Sequence, residues 1–211
     1  DTWVQTLIPL DSYEHWFKPG VRLGKIGSDV DGTKRGPATR PDYLLLEVKR
    51  GAGDQQLRIR ASVIECKMGN RSQNRIEQGE AQLSEGIRSL QEIWNPQRES
   101  IDRRYWYSQL YRALVFSPVN MAENDPMYRE FNKQLQEILD GKFSIEWRGL
   151  LLTYWLDSSS GEVATRELRL EGCDDVPGEH HTIGQVLIEK MLVAEPSEIS
   201  YAPGEHSELI A

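Results

Sequence analysis

The stretch "RPDYLLLEVKRGAGDQQLRIRASVIECK", residues 40–67, decides how this chain folds. It contains two strand-length apolar runs, Asp42–Val48 and Leu57–Lys67, divided by a segment rich in turn residues (Gly51, Gly53, Asp54). The first run is continuously apolar. The second alternates from Leu57 to Arg60 and then becomes solidly apolar, as a strand does on passing from the edge of a sheet into its middle. A hairpin is expected. Counted outward from Gly53, Asp42 and Glu65 are almost equidistant, so the pairing register brings them together. Glu65 and Lys67 are two apart on one strand and leave the same face of the sheet. Glu47-x-Lys49 repeats the acid-x-amine spacing, but Asp42 and Glu47 are separated by an odd number of residues and point to opposite faces. That pair reads as the strand's exit into the turn.

Outward from the hairpin, "TWVQTLIPL" reads as a strand with Leu7, Ile8 and Leu10 as its core, followed by a short helix from Asp11 or Ser12. Residues 20–41 form a long Gly-, Pro- and Arg/Lys-bearing loop. Ile76, Leu83, Ile87, Leu90 and Trp94 make one apolar stripe on a helix that Asn95-Pro96 ends. A second helix starts near Ile101. A third runs from Pro126 to Gly141. One or two strands follow in "FSIEWRGLLLTYWLD", another in "ATRELRLE", and a last helix in "IGQVLIEKMLV" with Thr182 as its cap. The adjacent His180 and His181 read as part of a solvated acidic loop. The alternation of strands and helices predicts an α/β domain whose mixed central sheet is flanked by helices. The domain is expected over residues 1–193, with 194–211 a tail or linker, in a piece of a larger protein.

The composition is that of an ordinary globular protein: 211 residues, 27% charged and 38% hydrophobic. No run approaches the roughly 18 apolar residues of a membrane span. Cys66 and Cys173 lack disulfide-framework or zinc-site spacing and read as free thiols of a reducing cytoplasm. The net charge is −8, yet its distribution is uneven. Residues 21–75 hold twelve Lys/Arg and six Asp/Glu, whereas residues 157–211 hold three and twelve. An acidic chain can therefore carry a local anion-binding surface. Lys25, Lys34, Arg35 and Arg40 immediately precede Asp42 and, with Arg71, are the candidate DNA-phosphate contacts. Arg103, Arg104, Tyr105, Trp106 and Tyr107 also mix basic and aromatic groups, but at helical spacing Trp106, Leu110, Ala113 and Leu114 read as core.

Two carboxylates held side by side repel one another and call for a cation. Carboxylate oxygens suit Mg²⁺, which takes one or two protein carboxylates and keeps several waters. Such an ion makes water a usable nucleophile and offsets charge on a phosphate, and a neighbouring lysine can orient the water or balance that charge. Asp42, Glu65 and Lys67 therefore suit metal-assisted phosphodiester hydrolysis. A buried ion cluster with a purely structural role adds little net stability.

Pro41-Asp42 followed by Glu65-Cys66-Lys67 resembles the PD-(D/E)xK nuclease motif. The resemblance implies a restriction-endonuclease-like core and Mg²⁺ (or Mn²⁺) held by Asp42, Glu65 and the backbone carbonyl of Cys66. It also implies a catalytic Lys67 and cleavage of DNA. Similarity to the RecB branch adds Gln82 on the following helix. Position 86, where that branch often carries tyrosine, is Gly86. Asp11 and Glu14 are candidates for a further acid on the first helix. More broadly, "LIPLDSY", "RPDYLLLEV", "LRIRASVIECK" and "IGQVLIEKML" resemble nuclease-like domains linked to HerA/FtsK-type translocases of bacterial defence, including phosphorothioation-dependent restriction. That implies a bacterial, cytoplasmic anti-phage protein with an ATP-driven translocase partner and an open question of homo-oligomerisation. No Walker A motif occurs here. The alternative expectation is a catalytically silent DNA- or partner-binding domain on the same fold.

Overall fold

The computed structural model describes residues 3–17, 40–49, 56–97, 99–115 and 126–193. Six strands form one sheet: β1 (Trp3–Pro9), β2 (Tyr43–Lys49), β3 (Leu57–Gly69), β4 (Phe143–Trp155), β5 (Ala164–Leu168) and β6 (Gly178–Gly184). Their order is β1-β2-β3-β4-β6-β5. β1, β2 and β3 pair antiparallel, β3, β4 and β6 pair parallel, and β5 closes the far edge antiparallel to β6. The expected α/β fold with a mixed sheet and flanking helices is the observed one.

The sheet's buried face follows from alternation in the sequence. Leu44, Leu46 and Val48 of β2 and Leu57, Ile59, Ala61 and Val63 of β3 are all buried. Helix α1 (Gln73–Ile93) lies on that face through Ile76, Leu83, Ile87 and Leu90. Each such side chain contributes about 1.5–3 kcal/mol by leaving water. Helices α2 (Arg103–Val115) and α3 (Pro126–Leu135) extend the core. Trp106, Leu110, Ala113 and Leu114 are buried in it, and Arg103, Arg104 and Arg112 are exposed. A 3₁₀ turn after α3 ends at Gly141, whose φ of 74° is the left-handed conformation that stops the helix. The last helix is α4 (Gln185–Val193). Among the described residues no helix is long and apolar enough to cross a membrane. Both cysteines are free.

The segment "FSIEWRGLLLTYW", expected as one or two strands, is one continuous strand. Three local expectations are corrected. Leu7 points outward at 56% exposure, because Ile8 and Leu10 take the buried side. Residues 178–184 are a strand rather than a loop, and His180 is buried in it. Thr182 lies within that strand and does not cap α4. Lys25, Lys34, Arg35, the turn at 50–55 and the 194–211 tail lie outside the described residues.

Candidate active site

The β2–β3 register pairs Tyr43 with Ile64, so the next step outward sets Asp42 opposite Glu65. The Asp42 amide continues the ladder by donating to the Ile64 carbonyl (3.1 Å). Beyond that point β2 has left the sheet, and the next amide on the β3 edge, that of Cys66, donates to Asp42 Oδ2 at 2.8 Å. An aspartate side chain thus replaces the missing backbone partner. Each strand residue turns its N–H and C=O to the same edge. The Cys66 carbonyl therefore leaves β3 on the side of Asp42. The Cys66 thiol is pushed up to about 11 by burial and then by the charges of Asp42 and Glu65, so it stays protonated.

Glu65 continues the buried parity of β3 and is only 1% exposed. Its Oε1 accepts from Lys67 Nζ at 2.5 Å. Its Oε2 is buried and has no hydrogen-bond partner. Burial, helped by the Asp42 charge and opposed by Lys67, raises the Glu65 carboxyl from 4.5 to about 7. A buried carboxylate oxygen without a partner is costly. Asp42 Oδ1 likewise has no hydrogen-bond partner among the described residues.

Gln82 is brought to the same place by α1. Its Oε1 accepts from Lys67 Nζ, and its Nε2 donates to the Arg40 carbonyl at 3.4 Å. Those two partners fix the orientation of the amide. A lysine ammonium has three donors. Two are taken by Glu65 and Gln82, and the third is left for a ligand on a side chain that is 20% exposed.

Two glycines set this spacing. A Cβ on Gly79 would meet Leu151 Cδ1 at 2.6 Å, with Lys67 Cε 3.6 Å away, so α1 lies close over the lysine stem. A Cβ on Gly86 would stand 2.2 Å from Pro41 Cγ. Position 86 cannot hold the tyrosine found in RecB-like sequences while Pro41 sits against the helix there.

Asp11 and Glu14, the candidates for a further acid, both engage Arg40. Asp11 Oδ1 accepts from Arg40 Nη2, and Glu14 Oε1 lies 3.4 Å from Arg40 Nη1. The charge of Arg40, a candidate DNA contact, is thereby largely spent within the protein. Arg71 is exposed, with its backbone N–H donating to Asp157 Oδ1 (2.9 Å). Glu47 lies on the opposite face from Asp42, as the spacing predicts, and accepts from Gln5 Nε2 (2.7 Å).

The free oxygens of Asp42 and Glu65 and the Cys66 carbonyl form a hard, all-oxygen donor set. No group of three or more His, Cys, Asp or Glu side chains converges among the described residues. Two carboxylates and a backbone carbonyl suit Mg²⁺ or Mn²⁺, which keep waters of their own, and do not fit a closed zinc site.

A polar chain that the sequence reading missed shares this face. Lys67 stands beside Thr153 of β4, which stands beside Thr182 of β6; Glu65, Leu151 and His180 form the neighbouring row. Arg166 Nε donates to His180 Nδ1 (2.8 Å), and its Nη2 donates to Glu80 Oε1 (3.1 Å). With Nδ1 accepting, His180 carries its proton on Nε2, which donates to Thr153 Oγ1 (2.9 Å). Burial, then Arg166 and His181, lowers His180 from 6.5 to about 4. Comparison with protein-family models, with curated proteins and with solved structures gives no match in any of the three.

Proposed function

We propose that this domain is a divalent-metal-dependent deoxyribonuclease of PD-(D/E)xK type, acting on the phosphodiester backbone. The observation that carries the reading is the convergence of Asp42, Glu65 and Lys67, with one oxygen of each carboxylate left without a partner. Asp42, Glu65 and the Cys66 carbonyl would hold Mg²⁺ or Mn²⁺. When bound, that ion supplies positive charge to phosphate oxygens and acidifies water. Lys67 is held by Glu65 and Gln82 so that its remaining N–H meets the attacking water or a phosphoryl oxygen. Gln82 acts as a positioning residue. Arg71, together with Lys25, Lys34 and Arg35, would steer the strand by its phosphates.

Association with an ATP-driven translocase in a cytoplasmic bacterial defence system remains a proposal carried by the sequence resemblance. Cleavage of supercoiled plasmid tests the function. Nicking or linearisation that requires Mg²⁺ or Mn²⁺, stops with EDTA and is absent in Asp42→Ala supports it. Activity that persists in EDTA or in Asp42→Ala refutes it.

A further inference from the structure

The flank of α1 facing Asp42 carries Gln82 and Gly86; the other flank carries Glu80 and Ser84, which contact Arg166 and the Glu171 amide. On that other flank a cavity of about 460 Å³ opens between the first turn of α1, the ends of β4 and β6, and residues 158–160. Arg71, Arg166, Ser158, Ser160 and Thr182 line it, over the buried ring of Trp155. No carboxylate is among its lining residues. That is unexpected beside a segment, residues 157–211, with twelve Asp/Glu and three Lys/Arg.

The two arginines differ in a useful way. Arg166 is pre-positioned: His180 holds its Nε and Glu80 its Nη2, leaving Nη1 without a partner among the described residues. His180 is itself buried and bound to Thr153, so the guanidinium is braced from the core of the sheet. Arg71 is exposed at the mouth, where the Asp157 contact fixes its backbone, and its guanidinium has no ion-pair partner among the described residues. One braced and one exposed guanidinium, with hydroxyls beside them, match the oxygens of a phosphate. The volume falls in the range of small-molecule pockets and exceeds what a bare phosphate would fill.

We propose that this cavity binds a nucleotide, with its phosphate on Arg71 and Arg166 and its nucleoside filling the remaining volume. The nucleotide can be free or part of a strand. In the sheet register Thr182 lies two strands from Lys67, about 10 Å away. The site is therefore distinct from Asp42 and Glu65; it shares Arg71 with the proposed DNA path, but phosphate binding there does not require cleavage.

Calorimetric titration of the whole chain in EDTA tests this, using deoxyadenosine monophosphate, deoxyadenosine and a short single-stranded oligonucleotide. The monophosphate should bind, and deoxyadenosine should bind at least about tenfold more weakly, the size of one charge-assisted hydrogen bond. Arg71→Glu, at an exposed position, and Arg166→Lys, which keeps the charge but loses the fork, should each weaken the monophosphate about tenfold or more. An oligonucleotide that competes with the monophosphate in wild type assigns the phosphate to a strand. Binding without such competition assigns it to a free nucleotide. Equal binding of nucleoside and nucleotide, unchanged affinity in both variants, or no binding of the monophosphate would overturn the proposal. Lys67→Ala should still bind the monophosphate where it no longer cleaves, so the two readings fail separately.

Discussion

Lys67 Nζ lies 2.5 Å from Glu65 Oε1, while Glu65 Oε2, in the same carboxylate, is buried without a partner. One oxygen is satisfied by the lysine and the other has no partner among the described residues. A divalent cation is the simplest occupant, and the asymmetry has consequences for stability, metal binding and cleavage.

The first consequence concerns stability in metal-free buffer. The Glu65 carboxyl is raised from 4.5 to about 7, so between those values the folded state holds a proton that the unfolded state has lost. This contribution is complete below pH 4.5 and disappears as pH rises through about 7. Its size is on the order of 3 kcal/mol. Denaturant unfolding of wild type and Glu65→Gln from pH 4 to 8 should show the wild type losing stability relative to the variant. Parallel curves would mean that Glu65 is not desolvated as described.

Divalent metal should reverse that cost. A ligand that binds only the folded state stabilises it by about 2.7 kcal/mol at about a hundredfold excess over Kd, roughly 5–10 °C in a chain of this size. Thermal melts with Mn²⁺ should show the rise in wild type and little or none in Asp42→Asn and Glu65→Gln. An equal rise in all three would place the ion elsewhere.

Gly86 sets the distance between α1 and the strand that starts with Asp42. Alanine there gains about 1 kcal/mol of helix propensity but drives its Cβ into the Pro41 ring. Overpacking of this kind costs about 1–3 kcal/mol. Gly86→Ala is expected to be no more stable than wild type and to bind Mn²⁺ more weakly, because Pro41 carries Asp42 with it. A variant that is more stable and binds metal normally would show that the contact does not matter.

His180 should titrate abnormally. Its folded value of about 4 lies below the ordinary 6.5, so the unfolded state binds the proton first. Its contribution to stability is present above pH 6.5 and is lost as pH falls toward 4, again on the order of 3 kcal/mol. Nitrogen-15 spectra of the histidine rings should show the neutral Nε2–H form at pH 5.5. A protonated His180 at that pH would break the assignment of the Arg166–His180–Thr153 chain.

The hairpin and its three charged residues were legible because period-two alternation fixes both register and face. Once Tyr43 pairs with Ile64, Asp42 and Glu65 have little freedom to separate. The sixth strand was not legible, because Gly178-Glu179-His180-His181-Thr182-Ile183-Gly184 carries one strongly apolar residue between glycines. Its burial depends on tertiary partners: Arg166 and Thr153 satisfy the His180 ring, and neither adjoins it in sequence. Thr182 reads as a helix cap for the same reason, since nothing local reveals β4 beside it. Gln82 follows Lys67 by fifteen residues, but its contact depends on the close approach that Gly79 and Gly86 allow.

The most direct measurement is plasmid cleavage by wild type and Lys67→Ala at saturating Mn²⁺, with DNA binding of both measured in parallel. Lys67 is placed to act on the reacting groups rather than to hold the ion, so the variant should still bind metal and DNA. Its cleavage should fall by about a hundredfold or more, the scale of a lost acid–base or electrostatic contact. Cleavage by Lys67→Ala at the wild-type rate would contradict the account. So would a wild type that binds Mn²⁺ and DNA but leaves the plasmid intact, which would make the domain a binding module.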